Sequence, residues 1–397
     1  MTGFLPIVLF GVILALALNF VNGMNDASHS IATVIATKAT SPLKAVVLTA
    51  IANMIGPFIF TTAVAVTIGT EIVQPDALTP LSIIVAMGAA IVLVYVATKG
   101  GLPISSSHAL IGGLLGAGIG AAGLAAVILP GWGSVIPIVI YACAGGIIGA
   151  IALVFVTAEL EGDRRLGAII GAICGASVTV PVLMIAGVLH VTGLFGIVLF
   201  IFIGPILGIT TAFLFDVFIS HLFRRSRQNR MKRIFQPLQV IACVFQAAGH
   251  GANDGQHAVG VITALLVSAG ILSTFSVPLW VIVSSAIAIG IGTCFGGWRV
   301  VDKMAKKITK IRPYQGFCAA TAGSTTLAMV TAYGVPVSST QVISGAIIGV
   351  GATRGEKAVQ WKVVREMMTA WVITIPLAMV VSWLAFLLVS SAIRFFL

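Results

Sequence analysis

Hydrophobic residues run along this chain in long unbroken stretches. Residues 45–67, 81–98, 135–158, 166–189, 192–222, 277–295 and 367–392 are each apolar almost throughout. A helix that crosses a bilayer needs roughly 20 such residues. Lipid offers no partner for backbone N–H and C=O groups, so spanning segments are helices or closed barrels. Barrel strands alternate apolar and polar positions, whereas 281–295 is continuously apolar. The pattern predicts an all-α polytopic membrane protein. The first apolar run begins at Phe4 with no Lys or Arg before it, unlike the basic start of a secretory signal, and is expected to be kept as a first span.

Four apolar runs are broken by polar clusters, and the clusters come in pairs. Asn22-Gly-Met-Asn-Asp-Ala-Ser-His is followed far downstream by His250-Gly-Ala-Asn-Asp-Gly-Gln-His. Pro103-Ile-Ser-Ser-Ser-His is matched by Pro336-Val-Ser-Ser-Thr-Gln, and Gly112, Gly116 and Gly118 align with Gly345, Gly349 and Gly351. Two paired motifs at nearly equal spacing point to an internal repeat.

Composition sharpens this picture. The chain is 59% hydrophobic and 8% charged, against about 25% charged in soluble domains, which excludes a soluble globular class. A net charge of +11 would suggest nucleic acid in a soluble protein. Here all but two of the 22 Lys and Arg residues fall in loops near 38–44, 164–165, 224–233, 299–312 and 354–365. The positive-inside rule places these loops in the cytoplasm. Tracing the chain between them gives about 12 membrane segments of the length a bilayer requires, with both termini external and the two halves inserted in opposite senses. The expected division is 1–165 as a first inverted repeat, 166–235 as connecting spans and a basic cytoplasmic loop, and 236–397 as a second inverted repeat. Inverted repeats with discontinuous helices and re-entrant hairpins build secondary transporters, whose site lies at the repeat interface near the midplane. The five cysteines form no Cys-x-x-Cys pair and read as small core residues.

Of 11 acidic residues, only Asp26, Asp216 and Asp254 lie at membrane depth. Each costs roughly 2.5–3.5 kcal/mol there even on the lenient insertion scale. No Lys or Arg lies within either Asn-Asp motif, so a bound cation is the expected partner of Asp26 and Asp254. Na⁺ is hard and takes carboxylate, amide, hydroxyl and freed carbonyl oxygens. Gly23 and Gly251 suit a backbone unwound to free such carbonyls. Asp216, close to the basic 224–233 block, reads as structural.

The serine motifs carry different chemistry. Pro103 and Pro336 stop a helix, and Ser105, Ser106, Ser107, Ser338, Ser339 and Thr340 sit where another begins. Ser and Thr cap helix starts, and the unpaired N–H groups there bind anions. Two such ends aimed at one point would hold a tetrahedral oxyanion without Arg, its charge balanced by bound cations. His29 and His257 each follow an Asp by three residues, so the pair shares a helix face. They read as donors to the anion or as structural groups, with a dimetal centre of an intramembrane hydrolase as the enzymatic alternative. A passive anion channel is a third reading, and phosphate and sulfate are both tetrahedral oxyanions that such a site would take.

With Gly-Met-Asn-Asp and Gly-Ala-Asn-Asp, one per half, and the paired Pro-x-Ser-Ser motifs, essentially the whole chain resembles the inorganic phosphate transporter family of PiT type. The resemblance implies a multi-pass inner-membrane protein, not an enzyme. It would import inorganic phosphate with Na⁺, or in some bacterial members H⁺, by an elevator-like or rocking alternating-access motion, usually as a homodimer. No cofactor is implied beyond Na⁺ as the coupling ion. Carried over by residue, Asn25, Asp26, Asn253 and Asp254, with Asn22, would bind Na⁺. Asn25, Asp26, Asn253 and Asp254 would also help hold the phosphate. Ser105, Ser106, Ser107, Ser338, Ser339, Thr340 and Gln341 would cradle it. The long cytoplasmic insertion of many animal members is missing, since the 224–233 loop is short.

Overall fold

The computed structural model of the chain describes residues 5–59, 61–159, 164–191 and 193–396. Most of the charged loop expected between 159 and 165 lies outside them. The apolar runs form α1 (Leu5–Thr37), α2 (Pro42–Ile55), α3 (Ala63–Thr70), α4 (Pro80–Gly100), α5 (Ser106–Ala122), α6 (Trp132–Glu159) and α7 (Arg164–Ile185). They continue as α8 (Gly193–Leu222), α9 (Gln228–Ser268), α10 (Leu279–Phe295), α11 (Trp298–Asp302), α12 (Pro313–Ala332), α13 (Ser339–Ala352) and α14 (Trp361–Phe396). Among the described residues there is no strand beyond two isolated bridges, Val73 with Val127 and Thr309 with Val359.

Six of the described helices are long and apolar enough to cross a membrane: α1, α4, α6, α7, α8 and α14. Two bent pairs raise that number to eight, α2 with α3 at 74° and α10 with α11 at 63°. The run 45–67, read as one span, is thus two pieces. Pro57 supplies no amide to continue the ladder, and the chain tightens into a 3-10 turn at Gly56–Phe58. The outward faces remain apolar, with Ile148, Phe155 and Leu388 all about 70% exposed, as lipid-facing positions must be.

α4–α5 and α12–α13 form two similar hairpins. In each, a glycine in the left-handed region ends the first helix, Gly101 (φ 70°) and Gly334 (φ 73°), a conformation that costs glycine alone little. A short extended stretch with Pro103 or Pro336 follows. The second helix then starts on a serine. Ser105 Oγ accepts from the His108 amide at 3.2 Å and Ser338 Oγ from the Gln341 amide at 3.4 Å. The predicted serine caps are therefore present at both helix starts.

The paired glycines explain how these helices dock. A Cβ at Gly112 or Gly116 would meet the Ile375 or Met379 carbonyl of α14, at 2.5 and 2.0 Å. A Cβ at Gly345 or Gly349 would meet the Pro205 or Ile209 carbonyl of α8, both at 2.3 Å. Small residues let the backbones touch, so α5 rests on α14 and α13 rests on α8.

One expectation fails. α1 and α9 run unbroken through their Asn-Asp motifs. Gly23 and Gly251 do not unwind the chain. They admit neighbouring helices: a Cβ on Gly23 would lie 2.1 Å from the Ile289 carbonyl of α10, and one on Gly251 2.2 Å from the Asn53 carbonyl of α2. Polar side chains projecting from an intact helix replace the predicted freed carbonyls. The discontinuities sit instead at the bent pairs and before α5 and α13.

Candidate functional site

Each Asn-Asp motif lies buried at the middle of its helix, facing one hairpin tip. In α1, Asn25 Nδ2 donates to Asp26 Oδ1 (2.6 Å) and to the Ile104 carbonyl (3.1 Å), and Asn25 Oδ1 accepts from Thr98 Oγ1 (2.8 Å). In α9, Asn253 repeats the arrangement. With its oxygen accepting from Thr331 Oγ1 (2.8 Å), its nitrogen donates to Asp254 Oδ1 (3.0 Å) and to the Val337 carbonyl (3.1 Å). Each asparagine thus ties its aspartate to the peptide just ahead of a capping serine.

The carboxylates receive hydroxyls from the hairpin helices. Ser106 Oγ lies 3.1 Å from Asp26 Oδ2 and donates to Asn22 Oδ1 at 2.6 Å, while Ser339 Oγ donates to Asp254 Oδ2 at 2.8 Å. Thr340 Oγ1 reaches across to the first hairpin, 3.3 Å from the Ile104 carbonyl and 3.5 Å from Asp26 Oδ1. Both hairpin tips and both Asn-Asp pairs therefore meet in one buried cluster. The twelve residues expected to hold Na⁺ or phosphate are each at most 4% exposed.

The link between the aspartates is His250, at the position in α9 that Asn22 holds in α1. Its Nε2 is 3.0 Å from Asp254 Oδ2 and 3.3 Å from Asp26 Oδ2, and its Nδ1 is 2.9 Å from Asn53 Oδ1. The donor directions can be followed outward. The Thr293 hydroxyl donates to the Ile289 carbonyl, and Asn53 Nδ2 donates to Thr293 Oγ1. Asn53 Oδ1 is then an acceptor, so His250 Nδ1 carries a proton. In a neutral imidazole Nε2 would be a bare lone pair, here aimed at two carboxylate oxygens. A proton or a bound cation is therefore needed between this lone pair and the two carboxylates.

Several polar groups of the cluster have no protein partner. Both ring nitrogens of His29, His257 Nε2, Ser107 Oγ and both amide atoms of Gln341 are buried without a hydrogen bond. His29 Nδ1 is 3.3 Å from Asp26 Oδ1 but out of line for one. Asp26, His29 and His250 offer ligand atoms all within 4.8 Å of one another. Asp216 stands apart, accepting from Thr353 Oγ1 (2.6 Å) and Gln315 Nε2 (3.5 Å).

The model of the phosphate transporter family matches this sequence over residues 22–166 and 165–382. The chain belongs to the phosphate transporter family. It is 36% identical over 382 residues to a Rhizobium meliloti protein named "Probable low-affinity inorganic phosphate transporter", covering 96% of both chains. A Bacillus subtilis protein of the same name is 31% identical, again over 96% of both. Among solved structures, one titled "The sodium-dependent phosphate transporter" superposes with a TM-score of 0.69 over 97% of this chain and 99% of that one, at 24% identity.

Membership fixes the broad reading: a multi-pass membrane transporter of phosphate, not an intramembrane hydrolase. Within this phosphate transporter, His250, Asn53, Thr98 and Thr331 are members of the buried cluster that sequence reading missed. His250 had a signal, since it stands one helical turn before Asp254 in an apolar run. Asn53 had none, because it lies alone in an apolar segment and is 197 positions from its partner.

Proposed function

We propose that this chain imports inorganic phosphate together with Na⁺ by alternating access. Asn22, Asn25, Asp26, Asn253 and Asp254 supply oxygen to the cation, and the starts of α5 and α13 grip the anion. The observation that carries the reading is the convergence of Asp26 and Asp254 on one imidazole while each has a hydroxyl of a hairpin helix start within 3.1 Å.

The coupling follows from charge. Two helix N-termini attract an anion by roughly 0.3–1 kcal/mol each, up to about 2 when partly buried. One ionised carboxylate 4 Å away repels a unit negative charge by about 4 kcal/mol at an effective dielectric of 20. Phosphate therefore binds well only after cations neutralise Asp26 and Asp254. Buried polar groups almost always have partners; Ser107 Oγ and the Gln341 amide, which have none in the protein, supply donors of the kind an oxyanion takes. The solved neighbour is titled sodium-dependent, which supports Na⁺ as the cation.

The packing supports two inverted halves. α5 sits on α14 as α13 sits on α8, through equivalent glycines, so each hairpin helix rests on a long helix in a matching way. On this reading there are about 12 membrane segments of bilayer length, external termini, a homodimer, and an inner-membrane location with the basic loops in the cytoplasm.

H⁺ is the second reading, and an imidazole within 3.3 Å of both carboxylates, a group that can carry a proton, favours it. Labelled phosphate uptake into proteoliposomes, with Na⁺ and pH gradients imposed separately, separates the two. Accumulation driven by a Na⁺ gradient at equal pH supports the first; accumulation driven only by a pH gradient replaces it with the second. Uptake that needs neither gradient removes both.

A further inference from the structure

A cavity of about 860 Å³ runs along the outside of the bundle between α4 and α14. Val96, Ile373 and Leu377 give it an apolar, outward-facing wall, and Lys362 and Arg365 stand at one end. Glu366 also lines it, but is paired with Lys303 at 3.2 Å. Among the described residues no salt bridge engages Lys362 or Arg365. Lys99 and Arg299 add charge beside the same end, where Arg299 Nη1 donates to the Lys99 carbonyl at 2.6 Å.

We propose that this groove binds an anionic phospholipid of the cytoplasmic leaflet. Its phosphate is held by Lys362 and Arg365 and one acyl chain lies along Val96, Ile373 and Leu377. The dimensions agree: α14 rises about 18 Å from Arg365 to Leu377 at 1.5 Å per residue, against about 15 Å for half a bilayer's hydrocarbon core. Basic pockets between helices on the cytoplasmic side recognise anionic headgroups in this way. The assignment of side rests on the orientation proposed above.

The lipid would touch the transport site's support. Leu102 and Ile104, the hairpin residues just before Ser105, line the groove. Trp371 of α14 donates its indole N–H to the Pro103 carbonyl at 3.2 Å. An occupied groove braces the tip that carries Ser105, Ser106 and Ser107, so anionic lipid is expected to raise the transport rate.

The test is native mass spectrometry of the full chain in detergent, titrated with phosphatidylglycerol or phosphatidylcholine. Two basic side chains near an anionic headgroup are worth about thirty-fold in affinity. The Lys362→Gln/Arg365→Gln double variant should therefore lose phosphatidylglycerol by that order and keep its weak phosphatidylcholine binding. Val96→Trp, which fills the groove from an exposed position, should weaken both lipids. Phosphatidylglycerol retention unchanged in the double variant overturns the proposal. So does a Val96→Trp protein that turns from dimer to monomer with lipid retention intact, which would assign the groove to a second copy. Lipid retention is read without transport, so its failure is distinct from failure of the proposed coupling. In proteoliposomes, phosphatidylglycerol added to phosphatidylcholine should speed phosphate uptake by the wild type and not by the double variant. Equal stimulation of both also overturns it.

Discussion

Asn53 of α2 holds Nδ1 of His250 at 2.9 Å, and this contact sets which imidazole nitrogen faces the aspartates. Asn53→Leu removes the acceptor and lets the ring turn or change tautomer. Labelled phosphate uptake should fall at least about tenfold, since a buried hydrogen bond to a charged group is worth roughly 1.5–3 kcal/mol. Wild-type uptake in this variant would show that the orientation of His250 is irrelevant.

His250→Asn recreates at this position the residue that α1 carries at Asn22. It leaves Asp26 and Asp254 without the imidazole between them. Breaking a buried charged pair costs about 3–5 kcal/mol, so neutral-pH uptake should drop by two orders of magnitude or more. Activity should partly return in mildly acidic buffer, where a carboxylate can take the missing proton. A uniformly low pH profile would argue against that account.

Asp254→Asn should abolish gradient-driven accumulation while the protein still folds, because the amide keeps the shape and the contact to Ser339. Normal accumulation in this variant would refute the coupling role assigned to Asp254. Asp26→Asn should behave alike, since it too has its own asparagine, a hairpin serine and His250 beside it.

The two serine positions should separate stability from binding. Ser105→Ala and Ser338→Ala remove helix caps and should cost about 1 kcal/mol of stability, read as thermal unfolding in detergent. Ser107→Ala and Gln341→Ala remove groups without protein partners. They should leave unfolding nearly unchanged and raise the KM for phosphate roughly tenfold to a hundredfold, as expected for lost hydrogen bonds to a charged ligand.

Gly116→Ala places a methyl group 2.0 Å from the Met379 carbonyl. Backbone cannot step aside as a flexible side chain would, so α5 must move off α14 at a cost of about 1–3 kcal/mol. Gly88→Ala, with nothing within 4 Å of the added atom, should change stability by less than about 0.5 kcal/mol. Equal melting temperatures for the two variants would remove the glycine contact as the reason for the helix docking.

The sequence by itself determined the helical membrane class, the two hairpins, the serine caps and part of the set of polar residues that lie together. These follow from local rules: continuous apolar runs need backbone bonds closed within the helix, proline and glycine end helices, and serine caps the next one. A buried aspartate must also find a partner, and that much was legible at Asp26 and Asp254. Which partner it finds was decided by the tertiary structure. His250 meets Asp26 from 224 positions away, and Asn53 orients it from a third helix. Only packing places His250 within 3.3 Å of Asp26 and 2.9 Å of Asn53. The same packing keeps α1 and α9 unbroken through Gly23 and Gly251, because glycine serves close helix contact as readily as it serves an unwound turn. Nothing in the local pattern distinguishes the two uses; the carbonyls of Ile289 and Asn53, brought up from other helices, do.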